Sequence, residues 1–416
     1  MQQFGREIRN PHLDPKLEEE LLSSAYLTNP YPIYARMPHA PSLVWSGAFR
    51  CWFLTGYDDV VWASREAKLG VCERVPALLS ELSGADRERA QPIVDHYGAT
   101  MAFWDGARHR TVRALFHKRF TATALEGLRS AIEGFASKYL DAVGQDEMDM
   151  MSDFANLLPV DVIGHMLGIP PLDRAQFGPW SNAVLAFSQT GRVTPDLTDA
   201  AVIGLSEMRR YIQGVIDDRT QRPKDDFISW LVAQEHALSN DEVLANCLQL
   251  YMAGFATTRL FLGNAFLALF RNPDQLMKLR ENLGLMEGAV EELLRYSTSF
   301  QRAWRVAEDD VEHQGCVIRK GDQVYPLVGA ANHDPGRFAQ PGVLNIERKK
   351  NRHLSFGTGV HVCLGADLAR LEAAVAIDAF LRRFPKATHI EERVVWGTQP
   401  AGSNLGTLLS LPVRLG

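Results

Sequence analysis

The segment at 356–365, Phe-Gly-Thr-Gly-Val-His-Val-Cys-Leu-Gly, places one cysteine after a glycine-rich loop and directly before a strongly helical stretch. Gly357 and Gly359 stand two residues apart, and glycine accepts the positive φ angles that a tight loop needs. Cys363 follows at the expected start of a helix, where free backbone N–H groups and the helix dipole favour a thiolate. The pattern predicts a nucleophile or a metal ligand. A buried structural cysteine is the alternative, and the surrounding loop disfavours it.

Two spaced pairs of charged residues carry weaker signals. Glu292 and Arg295 stand three residues apart and therefore share one helical face, as surface ion pairs in many helices do. His109 and Arg113 stand four residues apart on another helical segment, where a solvated basic face is the simplest interpretation.

A third pattern lies in the longest apolar run of the chain. Ala253 and Gly254 are small enough for a flat group to approach the helix backbone, and Gly254 weakens the helix locally. Thr257 follows one turn later. Its hydroxyl could bind a ligand at this face, or it could donate to the carbonyl of Ala253 four residues earlier.

These residues must be positioned by a mainly helical chain with a small β-rich part. Apolar residues recur every three or four positions over much of about 106–300, with the longest run from Asp241 to about Arg271, and again from Cys363 to Phe384. Short strand-like segments at about 40–60 and 303–330 predict the β-rich part. The stretch at about 329–362 shows neither pattern, and long loops of this kind are usually functional.

The composition excludes several classes of protein. The chain has 416 residues, of which 46% are hydrophobic and 23% charged, so a disordered or fibrous protein is excluded. With 44 basic and 50 acidic residues the net charge is -6, which disfavours a nucleic-acid-binding protein. We find neither a signal-like start nor an apolar run of about 18 residues, and expect a cytoplasmic protein without a membrane span. The cysteines form no CxxC pair, which disfavours a disulfide scaffold or a zinc module: Cys51, Cys72, Cys247, Cys316 and Cys363.

The segment at 356–365 resembles the haem-binding loop of the cytochrome P450 superfamily, and it matches the pattern Phe-Gly-x-Gly-x-His/Arg-x-Cys-x-Gly in full. The resemblance implies that Cys363 is the thiolate ligand of the iron of haem b. It also implies the cytochrome P450 fold, a single domain over 1–416 with a large helical domain and a small β-rich lobe. The C-terminal turn would belong to that lobe.

Further roles follow from the same resemblance. Glu292 and Arg295 are similar to the family's helix-K motif, which Arg348 would complete as a structural triad. Basic groups would hold the haem propionates, and small or aromatic residues would pack against the haem. The implied contacts are His109, Arg113, Ala253, Arg305, His353, Phe356, Gly357, His361, Cys363 and Gly365.

The oxygen-binding groove of the family is similar to the segment at 253–257, and this chain departs from it at one position. The resemblance gives Gly254 and Thr257 catalytic roles, with Thr257 delivering protons. The usual acid directly before the threonine is replaced by Ala256, and no carboxylate occurs between Glu242 and Asp274. A positioned acid raises a reaction rate by about 10²–10⁴-fold. Because this acid is missing, we hypothesise an altered path for protons.

The resemblance implies a monooxygenase that inserts one oxygen atom of O2 into a small organic substrate, by hydroxylation or a related oxidation in specialised metabolism. Electrons would come ultimately from NAD(P)H through a ferredoxin or flavodoxin and its reductase. Basic clusters at 106–124 and 349–352 would face that acidic partner. By family position, the substrate pocket would include Phe255, Phe300, Gln301 and Asn404.

The altered residue at 256 also leaves other activities open. A peroxygenase driven by peroxide, or an atypical oxidation such as coupling or desaturation, would need a different supply of protons. A haem-binding or sensing protein without turnover would need none, but the retained Thr257 argues against it.

Overall fold

The computed structural model describes residues 11–38, 41–79, 82, 84–189, 194–234, 237–397 and 408–416. Helices make up most of this part of the chain. Their bounds are α1 Pro15–Leu21, α2 Ser24–Thr28, α3 Tyr31–Tyr34, α4 Tyr57–Ala63, α5 Arg74–Leu79, α6 Gly84–Gly98, α7 Gly106–His117, α8 Ala122–Glu126, α9 Arg129–Ala142, α10 Leu158–Leu167, α11 Phe177–Gln189, α12 Pro195–Gln221, α13 Phe227–Val232, α14 Asn240–Arg271, α15 Pro273–Glu281, α16 Met286–Tyr296, α17 Val328–Ala331 and α18 Ala366–Arg383.

The strands are short and form small sheets. A five-stranded sheet has the order β1-β2-β8-β5-β3, and β12 pairs with both β4 and β9. The bounds are β1 Leu43–Ser46, β2 Cys51–Leu54, β3 Leu69–Gly70, β4 Glu147–Asp149, β5 Arg305–Ala307, β6 Val311–His313, β7 Cys316–Ile318, β8 Gln323–Pro326, β9 Thr388–His389, β10 Val395–Trp396, β11 Leu408–Ser410 and β12 Pro412–Arg414.

Turn chemistry explains the tightest hairpin. Strands β6 and β7 pair in antiparallel register through His313 and Cys316. The two residues between them, Gln314 and Gly315, have φ angles of 52° and 76°. Positive φ at both central positions is the geometry of the two-residue turn that matches strand twist.

Helix α14 is the central element of the helical domain. It begins with a capping box, in which Ser239 and Glu242 satisfy each other's backbone N–H groups. By length and composition it could cross a membrane, but 72% of its most apolar window is buried inside the protein. It packs against α10, α12, α16 and α18. This burial is that of a core helix.

The hydrophobic core is divided between the helices and the β-rich part. One large cluster joins the helices, including Phe154, Tyr251 and Phe380. Two smaller clusters lie under the five-stranded sheet, around Trp52 and Phe53. The expected fold class, mainly helical with a small β-rich lobe, is confirmed.

Several local boundaries differ from the sequence pattern. Helices α5 and α6 precede residue 106, where the helical pattern was expected to begin. Helix α12 begins earlier than the pattern indicated, at Pro195, because proline fits the first turn of a helix. The final helix begins at Ala366 and not at Cys363, since residues 359–361 form a short 3-10 turn. Both shifts move helix ends while leaving the order of the elements unchanged.

Candidate functional site

The loop before Cys363 has the tight geometry that its glycines predict. Gly357 and Gly359 adopt φ angles of 68° and 75°. At Gly359 a Cβ would overlap the carbonyl oxygen of Ser64. The Cys363 N–H donates to the carbonyl of Phe356 at 2.8 Å, which closes the loop. The cysteine is thereby presented at the edge of α18.

Cys363 is accessible as a whole residue, but protein atoms surround its sulfur. The residue is exposed. Burial of the sulfur raises its pKa, whereas the Gly365 N–H and the positive charge of Arg113 oppose that rise. These two groups would support a thiolate once a cation binds to the sulfur.

The rings of His361 and His109 lie against each other beside this loop, tilted by 32°. Their ring centroids lie 4.1 Å apart. His361 Nε2 lies 2.9 Å from Asp105 Oδ1, while His109 is buried and its Nδ1 has no partner among the described residues. Burial, together with His361 and Arg113, lowers the pKa of His109 to about 4, so that this ring is neutral near pH 7.

Asp105 is a site residue that the sequence interpretation missed. It stands at the N-cap of α7, yet it makes no cap to that helix. Its Oδ2 accepts from the backbone N–H groups of Val71 and Cys72 at 2.7 and 3.1 Å. Despite its burial, His361 and these N–H groups hold the pKa of Asp105 well below its usual value. An Asp-Gly pair before a helical run was the available signal.

Two predicted propionate partners carry charge without an acidic partner. Arg305 is buried, its Nη1 donates to the carbonyl of Trp304 at 2.9 Å, and burial lowers its pKa. Arg113 Nη2 donates to the carbonyl of Val362 at 2.5 Å. Within the described ranges, no carboxylate oxygen lies within 4.0 Å of either guanidinium. With the unpaired Nδ1 of His109, these groups fit the carboxylate edge of a haem.

His353 is placed differently from the other predicted haem contacts. Its Nε2 lies 3.3 Å from Glu291 Oε2, and its Nδ1 accepts from the Ser355 N–H. Burial raises the pKa of Glu291, but its contacts with His353 and Arg370 together outweigh burial and lower this pKa to about 2. Phe356 packs nearby, with the Arg370 guanidinium 4.6 Å from its ring centroid. A direct role for His353 at a haem stays a prediction.

The pair Glu292 and Arg295 is fully buried, and Arg348 joins it. Arg295 Nε and Nη2 each donate to the carboxylate of Glu292 at 2.8 Å. Arg348 Nε lies 3.0 Å from Glu292 Oε2, and the Asn351 amide adds a further bond at 3.1 Å. Arg295 also donates to the carbonyl of Asn332. The surface ion pair that the spacing alone allowed is therefore excluded.

The predicted catalytic residues of α14 lie on different faces of the helix and differ in exposure. Ala253 is exposed and Thr257 is half-buried. The Thr257 hydroxyl donates to the carbonyl of Ala253 at 2.7 Å, which is the local alternative expected from the sequence. A Cβ on Gly254 would instead lie 3.2 Å from Ile163 on α10. Gly254 thus allows helix packing, and Ala256 is buried in the core.

Gln249 is a second residue that the sequence interpretation missed. Positions 249, 253 and 257 lie within about 80° of one another on a helix. The buried amide oxygen of Gln249 has no partner in the described part of the chain. Asn246, one turn earlier, accepts from the Met101 N–H at 2.9 Å and so joins α14 to the segment before α7. A polar residue inside an apolar helical run was the signal.

The predicted pocket residues that the structure describes have different surroundings, and their shared role in a pocket stays a prediction. Phe255 is buried, with the Arg259 guanidinium 5.3 Å from its ring centroid. Phe300 packs against the core under the five-stranded sheet. The Gln301 amide donates to the carbonyl of Thr298 at 2.7 Å. Asn404 lies outside the described residues.

A basic groove lies on the surface beside the cysteine loop. Its cavity has a volume of about 400 Å³, and the exposed side chain of Val360 contributes to its lining. Arg108 does not contribute, because it pairs with Glu242. The lining residues are His109, Arg110, Arg113, Ala114, His117, Gly359 and Val360.

Comparisons with known proteins agree with this geometry. The family model described as Cytochrome P450 matches residues 195–394. The chain is 37% identical to a biotin biosynthesis cytochrome P450 of Bacillus subtilis (strain 168), over 87% of this chain and 91% of that protein. It is also 37% identical to a polyketide biosynthesis cytochrome P450 of the same organism, over 81% of this chain and 82% of that one.

A solved structure is similar over nearly the whole chain. It is that of P450BioI in complex with an acyl carrier protein bearing hexadec-9Z-enoic acid. The TM-score is 0.86 and the identity 34%, with 94% of this chain and 100% of that chain covered.

Proposed function

Because this chain belongs to the cytochrome P450 family and is a monooxygenase of that family, we propose that it binds haem b through Cys363 and oxidises an organic substrate with an apolar body and a polar handle. The observation that carries the proposal is the loop geometry at Cys363 next to uncompensated basic groups. A bound haem would supply the activation of O2.

Different residues of this chain would bind different parts of such a cofactor. Cys363 would bind the iron, and the Gly365 N–H would stabilise the sulfur charge. Arg113, Arg305 and His109 would donate to the propionates through charge-assisted hydrogen bonds. The Glu292–Arg295–Arg348 triad holds the loop in shape, because Arg348 and Asn351 both belong to the segment that precedes Cys363.

Proton delivery would depend on Thr257 and water. Its hydroxyl is held by the Ala253 carbonyl and is half-exposed, so it can accept from water while it donates to that carbonyl. The buried methyl group of Ala256 can neither hold nor transfer a proton. A slower proton supply, or one assisted by a polar group of the substrate, follows from this arrangement.

The amide of Gln249 gives the substrate proposal its most specific support. An unpaired buried carbonyl oxygen costs about 1–3 kcal/mol, which a hydroxyl or N–H group of a ligand would recover. The relatives act in biotin and polyketide biosynthesis, and one is solved with an acyl chain on a carrier protein. We therefore propose an acyl or polyketide substrate that carries a hydrogen-bond donor, oxidised in specialised metabolism.

The basic groove would receive the electron donor. Arg110 and His117 at its rim suit an acidic ferredoxin or flavodoxin, which a separate reductase would reduce with NAD(P)H. The protein would work in the cytoplasm, as expected for the family's bacterial relatives. Reduction rates should fall steeply as salt rises, and reduction that is independent of salt would contradict docking at this groove.

The test of the proposal is the carbon monoxide difference spectrum of the reduced protein, followed by a substrate screen. A thiolate-type Soret band in the wild type, lost in Cys363→Ser, is the expected result. Its absence from freshly purified holoprotein would overturn the proposal. Cys72→Ser, which changes another exposed cysteine, is the matched control and should keep the band.

The screen then tests the class of substrate by the change in spin state on binding. Acyl and polyketide compounds with a hydroxyl or amide donor should bind about tenfold more weakly to Gln249→Leu. Compounds that lack the donor should bind equally well to both proteins. Equal loss for both classes would assign Gln249 to packing.

A further inference from the structure

Arg74, the first residue of α5, carries a guanidinium that the assignments above leave without a function. Its Nη2 donates to the carbonyl of Ala102 at 2.8 Å and its Nε to that of Val71 at 3.3 Å. The Phe103 ring centroid lies 4.1 Å from Arg74 Cζ. Burial, and to a smaller extent the positive charge of Arg305, lowers the pKa of Arg74 to about 9. Strand β3, which ends at Gly70 shortly before Arg74, pairs with β5, in which Arg305 lies, so the two cations share one poorly hydrated region.

Among the described residues, Asp105 is the acid whose charge acts on both guanidinium groups, and its oxygens already accept other hydrogen bonds. Asp105 raises the pKa of both Arg74 and Arg305. Its oxygens, however, accept from Val71, Cys72 and His361. In the described part of the chain, no carboxylate comes within 4.0 Å of Arg74. One engaged carboxylate does not neutralise both the buried guanidinium of Arg305 and the partly buried guanidinium of Arg74.

Asp105 also connects Arg74 to the cysteine loop. It binds the backbone N–H groups of Val71 and Cys72, just before Arg74, and on its other side it contacts His361, two residues before Cys363. Arg74 is thus held beside the same loop that presents the cysteine.

We infer that Arg74 is a further cofactor-binding residue, which shares with Arg305 the carboxylate edge of the haem. The inference rests on the haem binding proposed above. Two like charges in a desolvated site are unfavourable unless an anion joins them, and the two propionates of a haem supply that anion. Arg113, by contrast, donates to Val362 and lies nearer the sulfur.

The first test measures how fast haem leaves the holoprotein for an excess of apomyoglobin. Arg74→Gln should release haem about ten- to hundredfold faster, the range that corresponds to the loss of a hydrogen bond to a charged group. Arg74→Lys keeps the charge and should fall between that variant and the wild type. Arg87→Gln, which removes an exposed charge from α6, should match the wild type. Equal release from Arg74→Gln and the wild type would overturn the inference.

The second test separates binding of the propionates from packing. Apoprotein is reconstituted with haem or with its dimethyl ester, whose propionates carry no charge. Arg74→Gln should bind haem more weakly and the ester as well as the wild type does, and its apoprotein should melt no lower. Equal weakening of both cofactors with a lower apoprotein melting temperature would assign Arg74 to packing and overturn the inference. Failure of the proposed function is distinguishable, because it would appear as a missing thiolate band in the wild type.

Discussion

Glu372 on α18 should make the stability of the protein fall as pH rises. The side chain is buried, with 2% of the residue exposed, and its Oε2 has no partner in the described ranges. Burial alone raises its pKa from 4.5 to about 8. In the unfolded chain the carboxyl ionises at its ordinary pKa, so between these two values the unfolded state binds fewer protons than the folded state. Stability is therefore lost with rising pH.

The magnitude follows from the two pKa values. One pKa unit corresponds to about 1.4 kcal/mol, so the full effect is about 5 kcal/mol. Between about pH 5.5 and about pH 8.5 the expected change is about 3 kcal/mol. Other titrating groups also contribute to the pH dependence of the wild type, and they cancel when a variant is compared with it.

The assay is urea unfolding of the wild type and of Glu372→Gln at several pH values, followed by far-UV circular dichroism. Glutamine keeps the size and polarity of the side chain but cannot ionise, so the variant should gain about 3 kcal/mol relative to the wild type over this pH range. Glu287→Gln, at an exposed position on α16, is the matched control and should show no such gain. Parallel pH profiles for the wild type and Glu372→Gln would refute the reasoning.

Three further predictions concern the residues around the cysteine loop. Glu292→Gln should cost about 3–5 kcal/mol in urea unfolding, because it leaves the buried guanidinium of Arg295 without its charge partner; a cost below about 1 kcal/mol would contradict a structural triad. Gly359→Ala should cost about 1–3 kcal/mol and reduce haem incorporation, since its φ is 75° and a Cβ would meet Ser64. Gly342→Ala, at an exposed position with open space for a Cβ, is the control and should be mild. Ala256→Glu should raise the rate of product formation, at the lower end of the roughly 10²–10⁴-fold that a positioned acid contributes to a rate, and an unchanged turnover together with an unchanged fraction of electrons lost as peroxide would refute the altered proton path.

Local patterns predicted the backbone well where the determinants are close in sequence. The apolar run predicted from Asp241 to about Arg271 corresponds to α14 at Asn240–Arg271, because its periodicity and its capping box are both local. The glycines of the cysteine loop predicted a tight turn, and their positive φ angles provide it. Family membership and the monooxygenase class were likewise predicted from a ten-residue motif.

Burial and partner choice could not be predicted in the same way. The spacing of Glu292 and Arg295 fits an exposed pair as well as a buried one, and only the packing of the loop with Arg348 buries it. Gly254 was expected to face a cofactor, but the structure packs it against Ile163. The contact of His353 with Glu291 could not be read from the sequence either, and its predicted contact with a propionate stays a prediction.

The sequence by itself determined the helical fold class, the glycine loop and the single conspicuous cysteine, because these depend on residue types and spacings within a few turns. Only the tertiary structure decided which distant groups share one environment. It joins Val71, Cys72, Asp105 and His361 into one hydrogen-bonded unit. It also brings Arg74 and Arg305 together, and no described carboxylate forms an ion pair with either of them. Desolvation and charge act through space between segments more than 200 residues apart in the chain, as with Asp105 and His361.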